Sequence, residues 1–392
     1  NRNFNMEKKY KLAFFFYGYN LAETTRAIEV AIALRKRGVQ IEFFSHGGPH
    51  SIRPAEVGFT HTLLLPEHTP KHHDRFLDLD HGKARGELFS PEEWMNFAKS
   101  EIEVLTKFKP DAVYGGFNLS SVLSTRATNC PLVYLLPAQA TPAYYENKMG
   151  TFPEFIENPV TRIIPQSWKN FLFNQIMTKI NYMPIRNINR AAKALGARLL
   201  KSPFEILSGD LVLLSDLAEM TGLPSSKLPL NHFYIGPIFA HLPLEVPEEV
   251  KKVFNGSELK IFCAMGSSGF TDRFYVTRYL PATNVNEMAD IAVTHGGQGT
   301  VQNSIWAGKP LIGVPFQFEQ QGNLEMVARA GVGIKIPMVE YTSERLLREI
   351  KRVADNPKYL QSAQKISSLF KSQNGAENSA QIILDFLNKR NS

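Results

Sequence analysis

The chain has 392 residues, 43% of them hydrophobic and 21% charged, which is the balance of a globular protein with room for two ordinary α/β domains. Its formal net charge of +7 and pI near 9.2 favour anionic partners such as phosphorylated ligands or lipid headgroups. There is no dense Lys/Arg run and no nucleic-acid module, which excludes nucleic acid; no apolar run is long enough to span a bilayer, which excludes an integral membrane enzyme and leaves peripheral membrane contact open.

No secretory apolar region follows the polar start, and Met6 is the expected natural first residue. Cys130 and Cys263 sit in apolar runs without metal-ligand spacing, so both are expected to be buried, reduced thiols, as suits a cytoplasmic protein. The apolar run 12–17 predicts a buried strand. Gly18 to Arg26 then leads into a helix reaching Arg37, with Ile28, Ala31, Ile32 and Leu34 on its apolar face and Gly38 as its stop. Val39 to Phe44 predicts the next strand, completing a βαβ unit.

Residues 56–86 hold His61, His68, His72, His73 and His81 among Asp74, Asp78 and Asp80. Their spacing matches no zinc ligand set, and Pro66, Pro70 and Gly82 mark a loop, solvated or on the acceptor side, so no metal is expected. Ser90-Pro91-Glu92-Glu93 opens a capped helix. Strands at 111–115 and 131–137 bracket another helix, and Phe117, Asn118 and Gln139 lie at the strand exits. Residues 151–190 mix aromatic and basic side chains at roughly helical spacing. They read as helices packed on the first domain, with one face suited to an apolar acceptor or a membrane surface. After strands at 211–215 and 232–235, Gly236-Pro237, Pro243 and Pro247 make a stiff linker, placing a domain boundary near 240: domains 1–240 and 241–392.

The second half begins with a strand at 259–264 and a small-residue loop containing Ser267 and Ser268. Ile291 to Thr294 predicts a buried strand ending in His295-Gly296-Gly297-Gln298-Gly299-Thr300, where a helix starts. Glycines let backbone approach a phosphate, and the first helical amides direct the positive end of the dipole at it. A second apolar run leads to Glu319-Gln320, whose carboxylate and amide suit sugar hydroxyls.

From His295 through Glu319, Gln320 and Asn323 to Gly333 the chain closely resembles the donor signature of the UDP-glycosyltransferase superfamily, HGGxGT…G-P…P…EQ…N. The resemblance implies a GT-B fold: two Rossmann-like α/β domains facing a central cleft, the last helix crossing back to the first. It also implies a nucleotide sugar, with UDP the first expectation, held by Ser267, Ser268, Leu280, His295, Gly297, Gly299, Thr300, Asn303, Glu319 and Gln320. No other cofactor is implied.

The N-terminal strand and helix resemble the same family's opening, but Glu23 stands where relatives carry a histidine base and Gly116 where they carry its supporting aspartate. A carboxylate has no tautomer to fix, so losing both together makes Glu23 the candidate base. Asn20, Phe117, Asn118 and Gln139 are the candidate acceptor contacts. Asn303 also departs from the family's ribose-bridging glutamate. Only nine positions separate Gly269 from Tyr279, too few for the expected crossover, so residues are expected to be missing from the sequence near Thr271 to Arg273; an intact mass of 44.2 kDa refutes this. The function expected is metal-independent, inverting transfer of a sugar to a hydroxylated acceptor. The rivals are a nucleotide-sugar epimerase or hydrolase and a non-catalytic partner of another transferase.

Overall fold

The computed structural model describes residues 10–80, 83–179, 185–240, 245–264 and 280–391. Two parallel sheets carry the chain. The first has strands β1 (Lys11–Phe16), β2 (Gln40–Ser45), β3 (Thr60–Leu63), β4 (Ala112–Gly116), β5 (Leu132–Leu136), β6 (Leu211–Leu214) and β7 (His232–Tyr234), in the order β3-β2-β1-β4-β5-β6-β7. This is the doubly wound arrangement, with the winding reversing between β1 and β4. The second, as far as described, has β8 (Ile261–Ala264), β9 (Ile291–Thr294), β10 (Leu311–Gly313) and β11 (Gly333–Lys335) in consecutive order.

Parallel strands covered on both faces need apolar side chains at nearly every position, and β1 reads KLAFFF with all but Lys11 buried. Phe14 stacks on Tyr114 of β4 at 4.4 Å and meets Phe43 of β2 at 5.0 Å, tying the three central strands together on one face. The helix Leu21–Arg35 covers that face. Its N-terminus is capped by Asn20, whose Oδ1 accepts from the Ala22 and Glu23 amides at 3.0 and 3.2 Å. The final helix, Gly375–Asn391, packs beside it: Ala380, Ile383 and Leu387 enter the same core as Leu12, Phe14 and Ala27, and Arg37 pairs with Glu377 at 2.9 Å. In the other direction Leu217 and Met220, which follow β6, join the core built by Val301, Leu324 and Val327 of the second sheet's helices. The two sheets therefore exchange packing elements.

Two expectations fail. Residues 56–86 are not a plain loop: β3 and the helix Pro70–Asp80 lie within them, and Pro70 opens that helix because a first-turn proline loses no hydrogen bond. Nor are the cysteines fully buried. Both are free, Cys130 half-buried and Cys263 exposed.

Candidate active site between the sheets

The carboxyl ends of the two sheets face one another, and polar side chains join them. Arg26, on the first helix, donates from Nη2 to Glu23 Oε1 at 2.5 Å and from Nη1 to Gln298 Oε1 in the glycine turn. Gln298 Nε2 donates back across the cleft to Asp216 Oδ1 at 3.0 Å and Ser215 Oγ at 3.2 Å. Asp216 also accepts the Ala138 amide at 2.7 Å, and burial raises its carboxyl above the ordinary range, opposed by these hydrogen bonds and by Arg26. Gln139 Nε2 donates to the Glu319 carbonyl and to Asn323 Oδ1, both at 3.1 Å.

The glycine turn follows from strict steric demands. Gly296 has φ +93°, and a Cβ there would come within 2.7 Å of Leu324 and 2.8 Å of the Gln320 carbonyl, so only glycine fits. Asn323 pins the turn, donating to the Gly296 carbonyl at 2.9 Å and to Glu319 Oε1 at 2.6 Å. Thr300 Oγ1 bonds the Gly297 carbonyl and Thr294 Oγ1, each at 2.8 Å. A Cβ added to Gly299 would meet nothing within 4 Å, so the first turn of the helix Gln298–Trp306 is open on that side.

His295 holds Nδ1 2.9 Å from the Ala264 carbonyl. A carbonyl only accepts, so Nδ1 carries the proton, and Nε2 can donate to a phosphate oxygen in the doubly protonated ring. Glu319 is pushed up to about 7, chiefly by burial, with Asn323, Arg26 and the Gln298 amide pulling the other way and Asp80 adding to the rise. Gln320 is held locally, its Oε1 accepting the Phe316 amide at 2.9 Å. Asn303 is similarly occupied, accepting from Thr283 Oγ1 at 2.6 Å and donating to the Gly299 carbonyl at 2.8 Å. Leu280 is half-buried at the start of the described second stretch; Ser267, Ser268 and the short crossing at 271–273 lie outside the described residues.

On the other side of the cleft, Glu23 is 8% exposed, and its Oε2 has no hydrogen-bond partner among the described residues. Gly116, where relatives carry an aspartate, packs so that a Cβ would sit 3.1 Å from Phe16 Cβ. The acceptor candidates separate. Phe117, at φ +58°, turns its ring to within 6.5 Å of Tyr17 and 5.7 Å of Phe76. Asn20 is spent as a helix cap. Asn118, 2% exposed, donates to Glu101 Oε1 at 2.7 Å and so lies in a buried polar cluster, while Gln139 bridges to the second sheet. Short polar residues at strand ends serve caps and bridges as readily as ligands, and sequence alone cannot separate these uses.

Arg26, Ser215, Asp216, Gln298 and Asn323 were not anticipated as site residues. The signals for three of them were in the motifs: Gln298 lies inside the glycine turn, Asn323 closes the donor signature, and Arg26 belongs to the stretch resembling the family's opening; Ser215 and Asp216 carried none.

Residues 246–379 match the model of the glycosyltransferase family 28 C-terminal domain. A PGL/p-HBAD biosynthesis rhamnosyltransferase of Mycobacterium bovis (strain BCG / Pasteur 1173P2) is 24% identical over 320 residues, covering 73% of this chain and 69% of its own. The spinosyn forosaminyltransferase SpnP superposes with a TM-score of 0.69 at 14% identity, covering 97% of this chain and all of its own. The spinosyn rhamnosyltransferase SpnG, complexed with thymidine diphosphate, superposes with a TM-score of 0.62 at 13% identity, covering 96% and 99%. With the parallel sheets and the facing cleft, these matches make the chain a glycosyltransferase of the GT-B type whose residues 246–379 carry a glycosyltransferase family 28 C-terminal domain.

Proposed function

We propose that the protein transfers a sugar from a nucleoside diphosphate to a hydroxyl of a small or lipid-like acceptor, inverting the anomeric centre, with Glu23 as the base. The observation that carries this is the buried Glu23 carboxylate, held by Arg26 through one oxygen and, among the described residues, unpartnered at the other. A buried oxygen without a donor is costly, and an acceptor hydroxyl would supply one. In the reaction that hydroxyl's proton passes to Glu23 Oε2 and its oxygen attacks the anomeric carbon as the bond to the diphosphate breaks. His295 and the amides from Gly297 to Thr300 receive the developing charge, while Glu319 and Gln320 hold the sugar. Ser267 and Ser268, by the family resemblance, would contribute further donors. Arg26 orients the Glu23 carboxylate in place of the histidine–aspartate pair of relatives, and a side chain at Gly116 would be crowded against Phe16.

The donor need not be UDP. Asn303 already commits its carbonyl and one N–H to bonds within the protein, and a neutral amide offers the ribose hydroxyls less charge than the family's glutamate. This favours a nucleotide lacking the 2′-hydroxyl, such as the thymidine diphosphate found with one structural neighbour. The exposed apolar face of the helix Gln166–Lys179 suits a lipid-like acceptor or the membrane surface that presents one.

Calorimetry with UDP and dTDP, followed by turnover of the matching sugar, tests the reading. Glu23→Gln should bind nucleotide as the unaltered chain does and lose at least about a hundredfold in turnover. Turnover near that of the parent would remove Glu23 from the mechanism. Release of free sugar without an acceptor would point to the hydrolase instead.

A further inference from the structure

The net positive charge is concentrated in one stretch of the chain. Residues 158–204 hold eight Lys/Arg and no Asp or Glu, against a net charge of +7 for all 392 residues, so the rest of the protein is close to balance. Lys169 is spent inside, paired with Glu157. Arg162, Arg186, Arg190, Lys193, Arg198 and Lys201 are exposed, and none of them pairs with a carboxylate among the described residues. In the helix Arg186–Ala194, positions 186, 190 and 193 share one face, opposite the buried Ile188, Ala191 and Ala192.

The same stretch turns apolar side chains outward. Trp168, Phe171, Leu172 and Ile176 of the helix Gln166–Lys179, continued by Val160 and Ile163, are between 48% and 82% exposed, while Lys169 and Asn174 point inward. The inner face of this helix is anchored at the cleft. Phe173 is buried and meets Phe318, the residue before Glu319, with ring centroids 5.8 Å apart. The segment leading to the helix is hooked from the second half of the chain. Gln321 Nε2 donates to the Phe152 carbonyl and Gln321 Oε1 accepts the Glu154 amide, both at 2.9 Å, and Lys335 pairs with Glu154. The outward face is thus held about one helix diameter, roughly 10 Å, from the end of the cleft where Glu319 lies.

We propose that residues 158–204 dock the protein on an anionic lipid bilayer. The outward apolar face enters the headgroup boundary, the exposed Arg and Lys side chains meet the lipid phosphates, and the Glu319 end of the cleft is held beside the surface. This deepens the reading above by naming where the acceptor is met; the docking itself needs neither Glu23 nor a sugar. Large apolar side chains on one helix face with cations beside them are what an interfacial helix requires, and anionic lipid attracts charge of a single sign. A protein partner is met through a polar rim, and a rim of one sign fits it only where the partner is acidic. A second copy of this chain would bring like charges together, which opposes pairing.

Flotation of the full chain with vesicles of phosphatidylcholine, alone or mixed with phosphatidylglycerol, tests the docking without nucleotide or acceptor. Binding should be at least about tenfold tighter on the anionic vesicles and should fall at high salt as the charges are screened. Arg186→Gln, Arg190→Gln and Lys193→Gln together should cost at least about tenfold on the anionic vesicles, because each cation near such a surface is worth about fivefold. Brominated lipid chains should quench the fluorescence of the unaltered chain, and Trp168→Phe should bind as well but lose most of that quenching, since Trp168 is exposed and Trp94 is buried. No preference for anionic vesicles, charge variants that bind as the parent does, or an unquenched Trp168 would each overturn the proposal. Tighter capture by immobilised polyglutamate than by anionic vesicles would overturn it in favour of an acidic protein. A dimer that Trp168→Ser dissolves, without vesicle binding, would overturn it in favour of a second copy. Glu23→Gln should dock as the parent does; docking that holds while UDP and dTDP fail to bind would overturn the transferase reading alone.

Discussion

Two carboxylates lie on opposite sides of the cleft, and their surroundings differ. Glu23 is held by a guanidinium at one oxygen, whereas Glu319, with burial outweighing its hydrogen bonds, is raised to about 7 from the ordinary 4.5. Between those two values the unfolded chain has lost the Glu319 proton and the folded chain keeps it. Stability therefore falls as pH rises from about 4.5 to about 7 and levels off above that. The loss is at most about 3.5 kcal/mol, at about 1.4 kcal/mol per unit, and less because Glu319 is only partly buried. Glu319→Gln should remove this slope, gaining on the parent chain between pH 5 and pH 8 in urea melts; parallel pH profiles would contradict the assignment. Glu319, Gln320 and His295 were legible as candidates because the signature surrounds them. The long-range parts of their surroundings were not, since Arg26 near Glu319 and the Ala264 carbonyl at His295 are brought there only by folding.

At the level of elements, strands were the most legible part. Runs such as LAFFF, LVYLL and IAVT are apolar at every position because both faces of a parallel strand are covered. The helix Pro70–Asp80 was missed because it buries no residue fully and turns only Phe76 and Leu79 to the core, too few to set a helical period. The helix Gln166–Lys179 is the converse case: it leaves Trp168, Phe171, Leu172 and Ile176 between 48% and 69% exposed, beside Ile163 at 82% and Arg162. Positions 168, 171, 172 and 176 share one helical face, large and apolar enough to require a partner. The chain should cosediment with vesicles containing anionic lipid, and Trp168→Ser with Phe171→Ser should reduce the bound fraction at least about fivefold. Binding that is unaffected by the pair would rule out this face as the contact.

For the whole molecule, one amide of the glycine turn makes several of the bonds across the cleft, beside those of Gln139, Gln321, Arg329 and Lys335. Gln298 accepts from Arg26 and donates to Ser215 and Asp216, all from the first sheet's side, and Gln302 adds a bond to the Ser215 carbonyl at 2.6 Å. Gln298→Ala leaves Asp216 buried without its cross-cleft donor, an expected loss of about 1–3 kcal/mol. Small-angle scattering should show a larger radius for the free variant as the halves part more often. An unchanged radius with an unchanged melting temperature would show that the halves are held by other contacts.

What the amino-acid order determined by itself was local and periodic: which segments are strands, where glycine must stand for a helix start to meet a phosphate, and which motif marks the donor side. These depend on residues close together in the chain, where sterics and apolar patterning act directly. What only the tertiary structure decided was pairing at a distance. Arg26 reaches Gln298, Gln139 reaches Asn323, and Glu23 Oε2 is left without a partner among the described residues. A hydrogen bond depends on tenths of an ångström between groups that may be hundreds of residues apart, and that information exists only once both sheets are packed.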